Sequence, residues 1–275
     1  MPQVINTNMM SLNTQRSLNM SQGDMQTSLE RLSSGMRINR AKDDAAGLAI
    51  SERFTAQIRG LEQANRNAND GISMLQTAEG AMAEISNSLQ RMRELAVQAI
   101  NGTVSADDRN SLDREYQALG TEITRNTDST EFNGVSVIGA AATLTLQIGF
   151  EADANNQIDI TTVDAAAASG VVSTIAGAIS TKASASYMVA AIDVALDKIS
   201  NLRADFGALQ NRLESTVRNN ANITENQSAA RSRILDADFA RETAELTRNQ
   251  ILQQAGTAML AQANQLPQNV LKLIG

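Results

Sequence analysis

Between Asp44 and Ile100 apolar side chains recur every three or four residues: Phe54, Ile58, Leu61, Ala68, Ile72, Leu75, Ala78, Met82, Ile85, Leu89, Met92, Ala96 and Ala99, interrupted once at Asn65. This is the spacing of a coiled-coil seam. One helix of that span is about 85 Å long at its usual rise per residue, longer than any small globular core requires. It needs a partner of similar length. The run Asn65 to Gly71 is the one place where a break is in contention, because asparagines and glycine favour turns over helix interiors.

A partner lies near the other end of the chain. Met188, Ile192, Ala195, Ile199, Leu202, Phe206, Leu209, Leu213, Thr216 or Val217, Asn220 and Ile223 again step by threes and fours. A shorter helix, with Ser105 and Asp108 as a capping pair, presents Leu112, Tyr116, Leu119 and Ile123 to the same bundle. Aromatics make up 3% of the chain, so this core is built of Leu, Ile, Met and Ala, which suits close helix pairs. No proline stands between Pro2 and Pro267, which leaves long helices uninterrupted.

The two ends form a second pair of seams. One runs through Leu12, Gln15, Leu18, Gln22, Met25, Leu29, Leu32 and Met36, the other through Leu252, Ala255, Met259, Ala263, Leu266, Val270 and Leu273. From Asn249 to Gly275 the only charged side chain is Lys272. A helix facing water carries more charge than that, so this segment is expected to be covered on more than one side, by the other chain end and by further subunits. The intervening stretch Ser33 to Asp44 reads as a linker in which Ser33, Ser34 and Gly35 stop one helix and Asp43 or Asp44 caps the next. Its Arg37, Arg40 and Lys42 are either solvated or paired with a neighbour's carboxylates.

The middle changes period. Asn133-Gly134 signals a tight hairpin turn, and Leu144, Leu146, Ile148 and Phe150 alternate with polar residues as a strand with one buried face does. Ile158 and Ile160 begin its partner. Residues 164–186 are small and weakly charged, a loop or a thin helix. Gly47, Gly60, Gly71 and Gly80 inside the long helix mark points of close approach, and contacts between subunits are the expectation for them. The fold class is therefore mainly α: a long antiparallel coiled-coil-like bundle with a small β-hairpin region, and terminal helices paired in a second coiled coil. The expected divisions are 1–43, 44–130, 131–186, 187–233 and 234–275.

Composition narrows the function. With no Cys and no His there is no thiol or Ser-His-Asp chemistry and no usual zinc ligand set. No phosphate-binding or dinucleotide loop occurs in a strand-to-helix setting, and carboxylate pairs such as Asp43-Asp44 and Asp107-Asp108 read as helix caps. An enzyme is not expected, and neither is a cofactor. A formal charge of -7 argues against nucleic acid, and no apolar run is long enough to span a bilayer. The start lacks the basic and apolar regions of a cleavable signal. Two classes remain, a filament or shell subunit with sticky ends and a coiled-coil signalling or adaptor rod; the uncharged tail favours the first.

Several long blocks carry a resemblance: Ile5-Asn-Thr-Asn8, Leu29-Glu-Arg-Leu-Ser-Ser-Gly-Met-Arg-Ile-Asn39, Lys42-Asp-Asp-Ala-Ala-Gly-Leu-Ala-Ile-Ser51, Leu89-Gln-Arg-Met-Arg-Glu-Leu-Ala-Val-Gln98, Phe132-Asn-Gly134, Leu209-Gln-Asn-Arg-Leu213 and Met259-Leu-Ala-Gln-Ala-Asn264. Over nearly its whole length the chain resembles bacterial flagellin, in a short form with a reduced outer region. The resemblance implies a homopolymeric extracellular filament used in swimming, and export through the flagellar type III apparatus with a chaperone. It also implies cap and junction proteins as partners and recognition of the monomer by the host Toll-like receptor for flagellin. A hook-filament junction protein of similar architecture is the alternative. It further implies that Leu12, Leu18, Met25, Leu29, Leu32, Leu252, Met259, Leu266 and Leu273 make filament core contacts. Leu89, Gln90, Arg91, Leu95 and Glu115 match the family's receptor patch, with Arg91, Glu94, Leu95 and Gln98 expected as an exposed strip that also serves contacts between subunits.

Overall fold

The computed structural model describes residues 7–162 and 171–274, with side chains to Gln265. Among the described residues six α-helices and two small hairpins follow in order: α1 (Met9–Ser34), α2 (Ala45–Ile100), α3 (Ala106–Ser129), β1 (Glu131–Phe132), β2 (Val135–Ser136), β3 (Thr143–Gln147), β4 (Gln157–Thr161), α4 (Val171–Ile175), α5 (Lys182–Leu235) and α6 (Phe239–Ile274). The chain is mainly α, as expected, and divides into two compact units. One comprises Met1–Ala56 with Asn226–Gly275, the other Gln57–Glu225.

The second unit holds the apolar core. Leu75, Ala78, Met82, Ile85, Leu89, Met92, Ala96 and Ala99 of α2 are buried with Met188, Ile192, Ala195, Ile199, Phe206 and Leu213 of α5, and α3 adds Tyr116 and Ile123. Each large side chain taken fully out of water contributes about 1.5–3 kcal/mol, so this seam is the main source of cohesion in the unit. The two helices run antiparallel, because Arg93 pairs with Asp193 at 2.7 Å while Glu79, further back on α2, meets Arg203 and Gln210, further on along α5. The helix continues unbroken through Asn65 to Gly71. Its polar run supports itself, since Asn69 donates to the Asn65 carbonyl and Gln63 to Asn67.

Local chemistry sets the ends of α3 and the hairpins. Ser105 Oγ accepts from the Asp108 amide, and the Asp108 carboxylate accepts from the Ser105 amide and hydroxyl, a reciprocal cap. Those bonds, the hydroxyl's first, hold the Asp108 carboxyl below its ordinary value. Asn133 and Gly134 both have positive φ (52° and 76°), which is what a two-residue turn between β1 and β2 requires. β3 pairs antiparallel with β4 from Thr143↔Thr161 to Gln147↔Gln157. Ile158 and Ile160 are buried, but β3 ends at Gln147, so the expected alternation does not reach Phe150, which is exposed. Beyond the strand, Asn220 donates to the Ile148 carbonyl and ties that turn to α5.

The residues after β4 are in part a helix, the five-residue α4, while 163–170 lie outside the described residues. Tyr116 donates to the Ile175 carbonyl at 3.1 Å, and burial pushes its phenol pKa up. Asp113 accepts from the Ile179 amide at 2.7 Å. These two side chains of α3 fasten the α4 connection over the bundle.

The glycines of α2 correct one expectation. A Cβ at Gly60 would stand 2.7 Å from Cβ of Phe150, and one at Gly71 would overlap Leu146 Cδ1. Their close approach is to the β3 hairpin of the same chain. Gly80 has no neighbour within 4 Å. Gly60→Val should therefore lower stability by about 1–3 kcal/mol through overpacking, whereas Gly80→Ala should raise it by up to about 1 kcal/mol through helix propensity alone. Urea unfolding of the two variants beside the parent checks both signs.

Candidate assembly interface

In the first unit α1 and α6 lie antiparallel. Asn8 Nδ2 donates to the Ala263 carbonyl, Ser21 Oγ to the Asn249 carbonyl, and Arg31 Nη1 to Glu242 Oε1 at 3.0 Å. The side chains of α1 that face α6 are Ser11, Thr14, Leu18, Ser21, Met25, Ser28 and Leu32, all buried or half-buried. On α6 the matching line is Glu242, Leu246, Asn249, Gln253, Gly256, Leu260 and Ala263. Both lines step by threes and fours, as paired helices demand, but most of their members are small or polar. At Gly256 an added Cβ would stand 3.1 Å from Leu18, so the two backbones approach closely there.

This register corrects the expected one. Leu18, Met25 and Leu32 lie in the seam, whereas Leu12 and Leu29 on α1 and Leu252 and Met259 on α6 are exposed, Met259 by 60%. The expectation followed apolar residues and so settled on a line displaced around each helix. Ser11, Ser21 and Ser28 are buried there because small side chains allow close approach, and Ser21 also satisfies a carbonyl of α6. Leu266 and Leu273 lie outside the described side chains. The result departs from an ordinary coiled coil: small and polar groups hold most of the seam, beside Leu18, Met25, Leu32, Leu246 and Leu260, while Leu12, Leu29, Leu252 and Met259 are left outside it.

The linkers beside this pair are paired too. Gly35 takes φ 72° and closes α1 by donating to the Arg31 carbonyl at 2.8 Å. Met36 then bridges Asp236, Arg37 N–H donates to the Leu235 carbonyl, and Ala237 N–H donates to the Gly35 carbonyl. Ile38, unremarked in the sequence, is buried, with its Cδ1 against Gly47 of α2. Asp44 accepts from the Gly47 amide and starts α2. Asp43 accepts from the Arg40 and Asn39 amides, the first of these chiefly holding its carboxyl below the usual range. Arg37 reaches the Ile234 carbonyl and Arg40 pairs with Glu30, so both basic side chains have partners within the chain.

The second unit carries the expected receptor strip. Arg91 donates to Glu115 Oε1 at 2.8 and 3.0 Å and to Glu94 Oε2 at 3.0 Å, and the Glu94 and then the Glu115 carboxylate raise its pKa further. Gln90, Arg91, Glu94, Val97 and Gln98 are exposed. Leu95 is 1% exposed and Leu89 0%, so neither belongs to an exposed strip. Both continue the interior seam of α2, turned away from Arg91 by helix geometry.

The comparisons with known proteins bear on a chain with this arrangement. A family model described as the bacterial flagellin N-terminal helical region matches residues 5–143, and one for the C-terminal helical region matches residues 189–274. The chain belongs to the bacterial flagellin family. A flagellin of Halalkalibacterium halodurans is 48% identical over 98% of this chain and 99% of its own length. One of Bacillus subtilis is 43% identical with the same coverage. The crystal structure of Bacillus cereus flagellin, 34% identical, superposes with a TM-score of 0.51 over 56% of this chain and 88% of that one. Flagellins are structural filament subunits, and this member is a short one without a large variable region between its helical parts.

The burial pattern of the strip separates fold from surface. Leu89→Ala removes a fully buried side chain and should lower stability by about 2–5 kcal/mol. Arg91→Ala should leave the unfolding midpoint unchanged, because its ion pairs are screened by solvent. Urea titration monitored by circular dichroism distinguishes the two.

Proposed function

We propose that this flagellin polymerises through α1 and α6, whose outward Leu12, Leu29, Leu252 and Met259 pack against the ends of further copies to build the inner core of a swimming filament. The observation that carries the reading is a seam made mostly of small and polar side chains, with the large apolar Leu12, Leu29, Leu252 and Met259 exposed outside it. Exposed leucines and methionines on two adjacent helices are an incomplete core. The near absence of charge after Asn249 makes a second copy of the same segments the fitting cover. In this reading 1–43 and 234–275 form the inner layer, 44–130 and 187–233 the layer around it, and 131–186 the reduced outer region. The ends gain most of their stability where copies meet, because the α1 and α6 seam is small or polar at most of its positions.

Export through the flagellar type III apparatus without signal cleavage, delivery by a chaperone, contact with cap and junction proteins and an extracellular destination belong to the same proposal. They rest on family membership. A role at the hook-filament junction is the less favoured reading, since the curated flagellins match over almost their full length. Leu252→Glu with Met259→Glu should leave a helical monomer that fails to elongate filament seeds. Normal elongation by this double variant, followed by light scattering and electron microscopy, would sink the assignment of those faces.

The monomer is also proposed as a ligand of the host Toll-like receptor for flagellin, through Gln90, Arg91 and Glu115, with Leu89 and Leu95 supporting the helix from within. A surface used by neighbouring subunits in the filament is open only on free chains. Arg91→Ala, which keeps the fold, should reduce receptor signalling at least tenfold, on the order of a lost charged contact. Undiminished signalling in a reporter-cell assay rules out the residue assignment.

A further inference from the structure

The chain has eleven methionines and no cysteine, so thioethers are its softest sulfur groups. Among the described residues eight of them lie at the extremes of exposure, with Met25 and Met36 half-buried between. Met74, Met82, Met92 and Met188 are buried in the core of the second unit, with exposures of 7%, 1%, 0% and 3%. Met9, Met10 and Met20 on α1 and Met259 on α6 are exposed by 67%, 59%, 58% and 60%. The three on α1 line one shallow depression together with Leu12. Accessible sulfur is thus concentrated on the faces that α1 and α6 turn away from each other.

We infer that Met9, Met10, Met20 and Met259 form a reversible oxidation site through which a peroxide-class oxidant blocks addition of the free subunit to a filament. The inference rests on the assembly reading above and adds a chemical control to it. In the step itself, the sulfur lone pair attacks one oxygen of hydrogen peroxide. An S–O bond forms, the O–O bond breaks, and proton transfer releases one water; sulfur is oxidised by two electrons and the peroxide reduced by two. The sulfoxide oxygen is a strong acceptor, and an apolar contact between copies offers it no donor. Packing then leaves it unpaired, whereas in a free chain water satisfies it. A thiol-dependent sulfoxide reductase reverses the change, and burial of the same sulfurs between copies protects a subunit once it has added.

The test exposes the intact chain to hydrogen peroxide, follows each methionine by peptide mass spectrometry, and then offers the treated chain to filament seeds. Met9, Met10, Met20 and Met259 should oxidise at least about tenfold faster than Met82 and Met92, as accessibility controls this chemistry. Elongation by treated chains should fall by about the same factor and recover after sulfoxide reductase with a thiol donor. A Met→Leu replacement at all four positions, near in volume, should elongate at the same rate before and after peroxide, whatever its untreated rate. Equal oxidation of exposed and buried methionines, undiminished elongation by oxidised chains, or an equal loss in the leucine variant each overturns the inference. If untreated chains do not elongate seeds, the assembly reading fails, and the blocking step fails with it irrespective of the oxidation pattern.

Discussion

Packing of α2 against α5 in the second unit is the interaction on which the other features depend. It is made almost wholly of Leu, Ile, Met and Ala side chains with little or no exposure, and a single phenylalanine, Phe206. Such a seam completes itself within one chain. Because it is complete, the short helix α3, the α4 connection and the hairpins need only cover its sides. They are fastened by individual polar bonds, from Tyr116 to Ile175, from Ile179 to Asp113 and from Asn220 to Ile148.

The terminal pair follows different physics. A seam of leucines removes roughly 1.5–3 kcal/mol worth of surface from water per residue, while a serine contributes close approach and a hydrogen bond whose net value is near 1 kcal/mol. The Arg31 and Glu242 pair adds charge that burial penalises, and Arg31 Nε and Glu242 Oε2 are buried without a partner. A pair built this way holds register better than it holds together. The same chain therefore contains one helix pair that is self-sufficient and another that is not.

This contrast also explains what was legible in the sequence. The seams of α2 and α5 were readable because their inward residues are large and apolar, so hydropathy and contact coincide. At α1 and α6 they diverge: Ser11, Ser21, Ser28 and Asn249 face inward, and a search for apolar periodicity passes over them. The sharing of Leu18, Met25 and Leu32 by both lines shows how small the displacement was. The resemblance places Leu89 at a surface and the strip expected beside Arg91 adds Leu95, although the period running through Ile85, Leu89, Met92 and Ala96 already puts Leu89 inside. The cause of the glycines at 60 and 71 is a contact with Phe150 and Leu146, some eighty residues away in sequence, which no local pattern reports.

Register in the terminal pair is set from the linkers outward. Met36 bridges Asp236, Arg31 meets Glu242, Ser21 meets the Asn249 carbonyl and Asn8 reaches the Ala263 carbonyl, each contact antiparallel and in step with the last. Polar contacts spaced along a seam penalise any slip, because a displaced register strands a buried donor or charge. Leucine and methionine on the outer faces have no such directional demand. On the assembly reading, specificity then resides within the chain and affinity between chains. A free subunit has the instructions for its terminal fold but little driving force, and contact with other copies provides that force without having to choose the register.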